Sequence, residues 1–283
     1  MLTRYDPAAI GPYRVVDKIG RGAMGQVFRA VDAQGQHWAV KVMMAELAED
    51  ADLTERFQRE AMAASLLDHP NVTRVHDYGE DAGRLFMVME LLSGTDLKER
   101  IEKGPELPPY EKLSIMVQVA AGMAYVHGRT IIHRDLKPAN IHVSATGQAK
   151  IMDFGLVKVG DSHMTRTGTL MGSPAFMSPE VLMGGRADPR SDVFSLGAVF
   201  YELLAGQRAF PGRGLAEIMM NVLKQEPAPL ATVAPRLPPP LVFVVERCLR
   251  KDAARRYQNA GELHAALEVA QAALSRPPAL GSR

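Results

Sequence analysis

Gly20-Arg21-Gly22-Ala23-Met24-Gly25 carries its chemistry in the backbone. Where no Cβ intervenes, main-chain N–H groups can close on phosphate oxygens. With 24 glycines in 283 residues, shuffling alone gives the G-x-G-x-x-G spacing in about one chain in six, so the neighbours decide its meaning. A dinucleotide-binding fold needs a helix directly after the glycines, whereas Gln26-Val27-Phe28-Arg29-Ala30-Val31 reads as a strand. The phosphate loop ending in Gly-Lys-Ser/Thr is absent. A glycine loop joining two antiparallel strands, with Lys41 on the next strand, suits a lid over a nucleoside triphosphate. Lys41 lies among Trp38, Val40 and Val42, so its ammonium needs a partner if it is inside. Glu60, flanked by Ala61, Met62 and Ala63, is the candidate. The plainer alternative leaves Lys41 solvated at a strand edge and Glu60 on a helix surface.

His133-Arg134-Asp135-Leu136-Lys137-Pro138-Ala139-Asn140 is far less ambiguous. His-Arg-Asp with Asn five places after the Asp arises by shuffling about five times in ten thousand. Asp153-Phe154-Gly155 follows across a hairpin whose turn holds Gly147, and Ser178-Pro179-Glu180 follows that. In this order the chain resembles the protein-kinase family from about Gly11 to Leu274. It looks most like the bacterial serine/threonine members, a likeness to which Arg56-Phe57-Gln58-Arg59-Glu60-Ala61 adds. The resemblance implies an α+β, two-lobed fold: a small N-terminal antiparallel-sheet lobe with one helix, and a larger, mainly helical C-terminal lobe. The kinase domain would span 11–274, with lobes at about 11–91 and 92–274, an extension at 1–10 and a tail at 275–283.

It also implies an activity, transfer of the γ-phosphate of ATP to Ser/Thr hydroxyls of proteins, with Mg²⁺ (Mn²⁺ as the alternative) as cofactor. Phosphoryl transfer has a loose transition state, so the protein mainly positions and neutralises. Asp135 would orient the acceptor hydroxyl and take its proton, and Lys137 would neutralise the γ-phosphate. Lys41 would hold the α- and β-phosphates, with Glu60 fixing it. Asn140 and Asp153 are oxygen donors that suit the metal. The loop from Gly20 through Arg21, Gly22, Ala23, Met24, Gly25 and Gln26 would cover the nucleotide. Ile19 and Val27 would lie above the adenine, Ala39 beside it and Met89 behind it, with backbone groups of Glu90 and Leu92 bonding it. Asp192 would cap the catalytic loop, and Glu180 would pair with Arg256. Lys137 two residues after Asp135 matches serine/threonine rather than tyrosine kinases. Two rivals remain: a catalytically silent kinase-fold scaffold and a small-molecule kinase of related fold. The first predicts a lesion among Lys41, Glu60, Asp135, Asn140 or Asp153, and there is none. Against the second stands Gly172 to Glu180, similar to the peptide-binding segment of protein kinases.

Asp153 to Glu180 is long and polar and holds Thr165, Thr167 and Thr169. Loops beyond about 12–15 residues usually serve a function or lack order. Autophosphorylation on Thr165 or Thr167 is expected, with Arg134 and Lys158 to hold the phosphate.

The elements that must position these groups follow from periodicity. Tyr13 to Ile19, Gln26 to Asp32, His37 to Met43 and Leu85 to Leu91 read as strands. Asp52 to Leu67 reads as a helix on Leu53, Phe57 and Ala61, with Asp52 and Glu55 resembling a capping box. Tyr110 to His127 carries Leu113, Met116, Val117, Ala120 and Ala124 on one stripe, and Gly128 follows as the stop. Ser191 to Ala205 is apolar nearly all round, which predicts a buried helix ended by Gly206. Leu215 to Lys224, Pro239 to Leu249 and Ala260 to Leu274 are further helices, while the six prolines of Pro227 to Pro240 make that stretch mostly loop.

Composition narrows the partners. A net charge of +1 gives no global field toward nucleic acid or an anionic membrane. The one cysteine, Cys248, sits near Val244, Val245 and Leu249, which predicts a buried structural thiol. No run reaches the roughly 18 apolar residues a spanning helix needs; Val193 to Gly206 is broken by Ser195 and Glu202. The expectation is a cytoplasmic domain acting on protein substrates, with no membrane segment of its own and no nucleic-acid partner. A longer natural protein anchored beyond residue 283, and a homodimer of kinase domains, stay open.

His142 departs from the family, which usually has an apolar residue under the adenine there. Alternation sets Ile141 and Val143 on the opposite face, so His142 would point at the nucleotide and stack on the base as a neutral imidazole. ATP affinity should then weaken as His142 protonates. Titrating ATP binding between about pH 5.5 and 8 in the wild type and in His142→Leu tests this: the wild type alone should lose affinity toward the acid end, and identical profiles would reject the role.

Overall fold

The computed structural model describes residues 6–22, 25–43, 51–153 and 173–275. The chain divides into two compact units, Met1–Ser93 and Gly94–Arg283.

The first unit is built on a six-stranded sheet of order β1-β2-β3-β4-β6-β5. Its strands are β1 (Ala9–Ile10), β2 (Tyr13–Gly22), β3 (Gly25–Val31), β4 (His37–Met43), β5 (Val75–Asp81) and β6 (Arg84–Glu90). Every neighbouring pair is antiparallel. Tyr13, Val15, Phe28, Ala30, Val40, Val42, Phe86 and Val88 form its apolar core, with Trp38 packed against it. β2 and β3 pair down to Gly22 opposite Gly25. Gly25 is dictated by packing: a Cβ there would stand 2.1 Å from the Val42 carbonyl oxygen. Helix α1 (Ala51–Ser65) buries Phe57, Ala61 and Ala64, the face its fourfold spacing predicts. Helix already runs at Ala51, so Asp52 lies inside the first turn and is not the expected N-cap. β5 was not legible as a strand. Val-His-Asp-Tyr-Gly-Glu-Asp lies at the sheet edge, where one flank needs no apolar cover.

The second unit has a small sheet of β7 (Thr95–Asp96), β8 (Ile141–Val143) and β9 (Ala149–Ile151). Helix α2 (Leu97–Lys103) follows β7 and is capped by Asp96, whose carboxylate accepts the Glu99 N–H. Helix α3 (Pro109–His127) buries Leu113, Ile115, Met116, Val119, Ala120, Met123 and Val126. The expected stripe is therefore too narrow. Ile115, Val119, Met123 and Val126 also go inside, while Val117 and Ala124 are half-exposed, because α3 is packed by β9 on one flank and by other helices on another. The remaining helices are α4 (Pro179–Leu182), α5 (Pro189–Ala205), α6 (Leu215–Lys224), α7 (Leu230–Val233), α8 (Pro239–Cys248) and α9 (Ala260–Ser275). Every residue of α5 from Ser191 to Leu204 is buried, and Gly206 ends the helix at φ +68°, a conformation that disfavours a side chain. The proline-rich stretch is mostly loop, with α7 as a single helical turn inside it. Cys248 is fully buried, burial pushes its thiol pKa up, and its Sγ donates to the Val244 carbonyl at 3.3 Å.

Arg256 is fully buried, and all five of its donors are satisfied. Nη1 and Nη2 reach Glu180 Oε1 and Oε2 at 2.8 and 2.9 Å. Nη1 also donates to the Arg190 carbonyl at 3.0 Å, Nη2 to the Lys251 carbonyl at 2.9 Å and Nε to the Arg250 carbonyl at 2.7 Å. One guanidinium thus ties α4 to the start of α5 and to the turn after α8. Burial alone would raise the Glu180 carboxyl, but hydrogen bonds and charge from Arg256 outweigh it and hold the group below its ordinary value. Arg256→Met leaves the Glu180 charge without its partner and should lower the unfolding free energy by about 3–5 kcal/mol at pH 7, read by urea denaturation. A carboxyl with a depressed folded-state pKa contributes its stability above the ordinary value, 4.5, and loses it as pH falls through the folded-state value. The advantage of the wild type over Glu180→Gln should shrink below about pH 4.5, and parallel stability curves would contradict the pairing.

Candidate active site

The segment 133–140 enters from α3, makes a 3-10 turn at Pro138–Asn140 and runs into β8. Its conformation is fixed from beneath by α5. The Asp192 carboxylate accepts the His133 N–H at Oδ2 (2.7 Å) and the Arg134 N–H at Oδ1 (3.0 Å). Arg134 needs that hold, since it is a non-glycine residue at φ +65°. Asp192 Oδ2 also lies 3.0 Å from His127 Nε2. His127 Nδ1 accepts the Ala260 N–H at 3.0 Å, so the ring proton is on Nε2 and is donated to Asp192. The end of α3 and the catalytic segment thereby meet on one carboxylate, which is 1% exposed, and His127 links the start of α9 to it. Sequence reasoning found Asp192 but missed His127, which looks like any histidine ending an apolar helix.

His133 is the second anchor. Its Nε2 lies 3.0 Å from the Met152 carbonyl, which can only accept, and its Nδ1 takes the Asp135 N–H at 3.3 Å. Both bonds belong to the neutral imidazole. Burial lowers its pKa, against the opposing pull of Asp192, the Met152 carbonyl, Asp135 and Asp153.

Around Asp135 the expected groups converge. Lys137 Nζ donates to Asp135 Oδ2 at 2.8 Å. Asn140 Nδ2 donates to the same oxygen at 3.1 Å and to the Asp135 carbonyl at 2.8 Å. The carboxylate is held in one orientation by the Lys137 ammonium and the Asn140 amide. With its amide nitrogen engaged, Asn140 has Oδ1 as its group for a cation. The Met152 N–H donates to the Asn140 carbonyl at 2.8 Å, so the strand ends carrying Asn140 and Asp153 are stitched together. Asp153 adopts φ +46°, a strained turn for a side chain that must leave the line of β9. An amide oxygen and a carboxylate on adjacent backbone suit a hard divalent cation that takes its other ligands from phosphate and water.

The first unit holds the other expected set. Val27 stands opposite Lys41 across β3 and β4, Lys41 opposite Met87, and Ala39 opposite Met89, across β4 and β6. Paired residues share a face and side chains alternate, so Val27, Ala39, Lys41 and Met89 lie together on the face away from Val40 and Val42. Gly20 pairs with Val27, Arg21 pairs with Gln26, and Ile19, an apolar side chain, is 46% exposed beside them. The Glu90 N–H is given to the Arg74 carbonyl at 3.1 Å, so a ligand bond from this residue must use its carbonyl. Leu92 is half-buried, just before the unit ends. Glu60 lies on α1, but its side chain is outside the described residues, as are Ala23, Met24, Lys158, Thr165, Thr167 and Thr169.

His142 is half-buried in β8, opposite Asp96 and Lys150 across the two neighbouring strands, while Ile141 and Val143 are buried. Its Nε2 is buried without a hydrogen-bond partner, and a Cβ on Gly94 would stand 3.1 Å from it. Gly94, at φ +128° and 2.3 Å by the same measure from the Val143 carbonyl oxygen, has no room for a side chain.

Comparison with known proteins shows the family. The family model of the protein kinase domain matches residues 13–269. Serine/threonine-protein kinase PknA of Mycobacterium tuberculosis is 39% identical over 98% of this chain and 65% of its own length. Serine/threonine-protein kinase PrkC of Bacillus subtilis is 35% identical over 92% of this chain and 40% of its own. The chain thus spans about two-fifths to two-thirds of the length of these curated relatives. The crystal structure of the Mycobacterium tuberculosis PknI kinase domain superposes with a TM-score of 0.72 at 29% identity, covering 91% of this chain and 96% of that one. The ordered motifs, the loop geometry around Asp135 and the match across 13–269 make this chain a member of the protein kinase family.

Proposed function

We propose that this domain transfers the γ-phosphate of ATP to serine and threonine hydroxyls of proteins. The observation that carries the reading is the fixed Asp135 carboxylate, oriented by Lys137 at 2.8 Å and Asn140 at 3.1 Å. Asp135 accepts the proton of the acceptor hydroxyl as that oxygen bonds to the γ-phosphorus and the bond to the β-phosphate bridge breaks. Lys137 supplies positive charge to the transferring phosphate, and Lys41 supplies it to the α- and β-phosphates. Protein kinases use a divalent metal generally, and for this chain we assign Mg²⁺, held by Asn140 and Asp153; when bound it offsets charge on the phosphate oxygens. Val27, Ala39 and Met89, on one sheet face with Lys41, supply the apolar surface for the base, next to Ile19, and the Gly20–Gln26 loop supplies the backbone cover. Glu60 pairs with Lys41 in this reading. We assign the domain to the cytoplasm, where ATP is supplied. No helix among the described residues is long and apolar enough to cross a membrane.

Transfer of labelled phosphate to a generic basic protein tests the reading. Asp135→Asn should lower kcat on the order of 10²- to 10⁴-fold while leaving the KM for ATP within about threefold, because Asp135 faces the acceptor and not the base. A variant as fast as the wild type would refute the assignment. A wild type that binds ATP and transfers nothing would favour the scaffold. Mapping the phosphate after incubation with ATP and Mg²⁺ should place it on Thr165 or Thr167, and phosphate found only outside 153–180 would count against autophosphorylation there.

A further inference from the structure

Helix α8 and the turn that follows it gather charge that phosphoryl transfer does not use. Phe243, Glu246, Arg247, Arg250 and Arg255 line a groove of about 450 Å³, a size typical of sites that enclose a ligand group. Three guanidinium groups face one carboxylate there. One oxygen of that carboxylate, Glu246 Oε1, accepts the Leu230 N–H at 3.2 Å, so the groove keeps an excess of positive charge. Arg247 stacks on Tyr257, 4.2 Å from the ring centroid, which orients its guanidinium without cancelling its charge. Arg250 and Arg255 are exposed, and neither makes an ion pair among the described residues. The nearest acid in the turn, Asp252, has Oδ1 engaged by the Ala254 N–H at 2.9 Å.

The backbone that adjoins the groove is hydrogen-bonded in place. The Arg250 and Lys251 carbonyls are both held by the buried Arg256, and Asp252 caps the 3-10 turn Ala253–Arg255. Lys251 is fixed too, donating to the Val222 carbonyl at 2.7 Å with its Nζ 3.8 Å from the Phe210 ring centroid. The backbone that carries Arg250 and Arg255 is therefore preset. The whole chain has a net charge of only +1, so this excess is local and is not part of a generally basic surface. At the rim, Phe243 is 63% exposed.

We propose that this groove binds a phosphorylated serine or threonine in a protein segment, with Arg250 and Arg255 on the phosphate and Phe243 on an apolar residue beside it. Planar guanidinium groups match phosphate oxygens in pairs, which a carboxylate or hydroxyl ligand does not reproduce at the same charge. The concave shape favours one phosphate on a protruding side chain over a flat array of lipid headgroups. The proposal rests on the kinase reading for its source of ligand, since phosphoserine and phosphothreonine are the products of that reaction. A domain that holds a segment already phosphorylated raises the effective concentration of the hydroxyls linked to it. Multisite phosphorylation of one substrate would then proceed faster after the first transfer.

Binding is measured without ATP on the full chain carrying Asp135→Asn, so that no transfer alters the probe. Two fluorescent peptide pools of degenerate sequence are compared at about 0.15 M salt, one with a fixed phosphothreonine and one with threonine. The phosphorylated pool should bind about tenfold more tightly. Adding Arg250→Gln and Arg255→Gln should bring it to the level of the threonine pool, with an unchanged melting temperature showing that the fold is kept. Phe243→Ala should weaken the phosphorylated pool severalfold. Equal binding of the two pools, or a preference that survives both glutamine substitutions, would overturn the proposal. So would retention on phosphatidylglycerol vesicles that the phosphorylated pool does not displace, which would assign the groove to lipid. The readout is binding, so failure of the groove is distinct from failure of the kinase reading, which shows as absence of transfer by the wild type.

Discussion

One buried carboxylate organises the catalytic segment. Asp192 accepts two backbone N–H groups and one imidazole N–H, and it is almost entirely removed from water. A charge in that position is costly unless its oxygens are hydrogen-bonded, and here three donors engage both of them. The segment cannot relax without leaving that charge unpaired. The left-handed Arg134, the fixed Asp135 carboxylate and the neutral His133 all depend on this. Helix α5 is buried from Ser191 to Leu204, so the point to which the segment is tied lies inside packed core.

The same economy of means recurs at Arg256. Its five donors are spread over one carboxylate and three carbonyls, so a single side chain sets the path of the turn after α8 relative to α4 and α5. Both anchors are polar groups inside an apolar helical unit, and both tie irregular backbone to the helices beside it. Helices and strands hold themselves through their own ladders, whereas loops that carry chemistry need side chains to satisfy their N–H and C=O groups.

How much of this was legible in the sequence follows from locality. The groups around Asp135 sit within eight residues of one another, so the pattern 133–140 and the following Asp153 could be read directly. Strand β4 was legible because its alternation separates Lys41 from Val40 and Val42. Helix α5 was legible because no polar face interrupts it. Strand β5 was not, since an edge strand carries Asp, Tyr, Gly and Glu without penalty, and α2 was not, since of its seven residues only Leu97 is buried. His127 was missed because its partners are 65 and 133 residues away, and no local spacing reports such a contact. The breadth of the α3 core was underestimated for the same reason: the neighbours that cover Ile115 and Val119 come from elsewhere in the chain.

The most direct measurement compares kcat of the wild type with that of Asp192→Asn. An amide keeps the shape but has one acceptor oxygen for three donors, and it turns an N–H₂ toward at least one of them. A displacement of about 1 Å at reacting groups can cost on the order of 10² in rate. The account predicts a folded variant with cooperative unfolding, a KM for ATP near that of the wild type and a kcat lower by about that factor. A folded variant that transfers phosphate at the wild-type rate would contradict it.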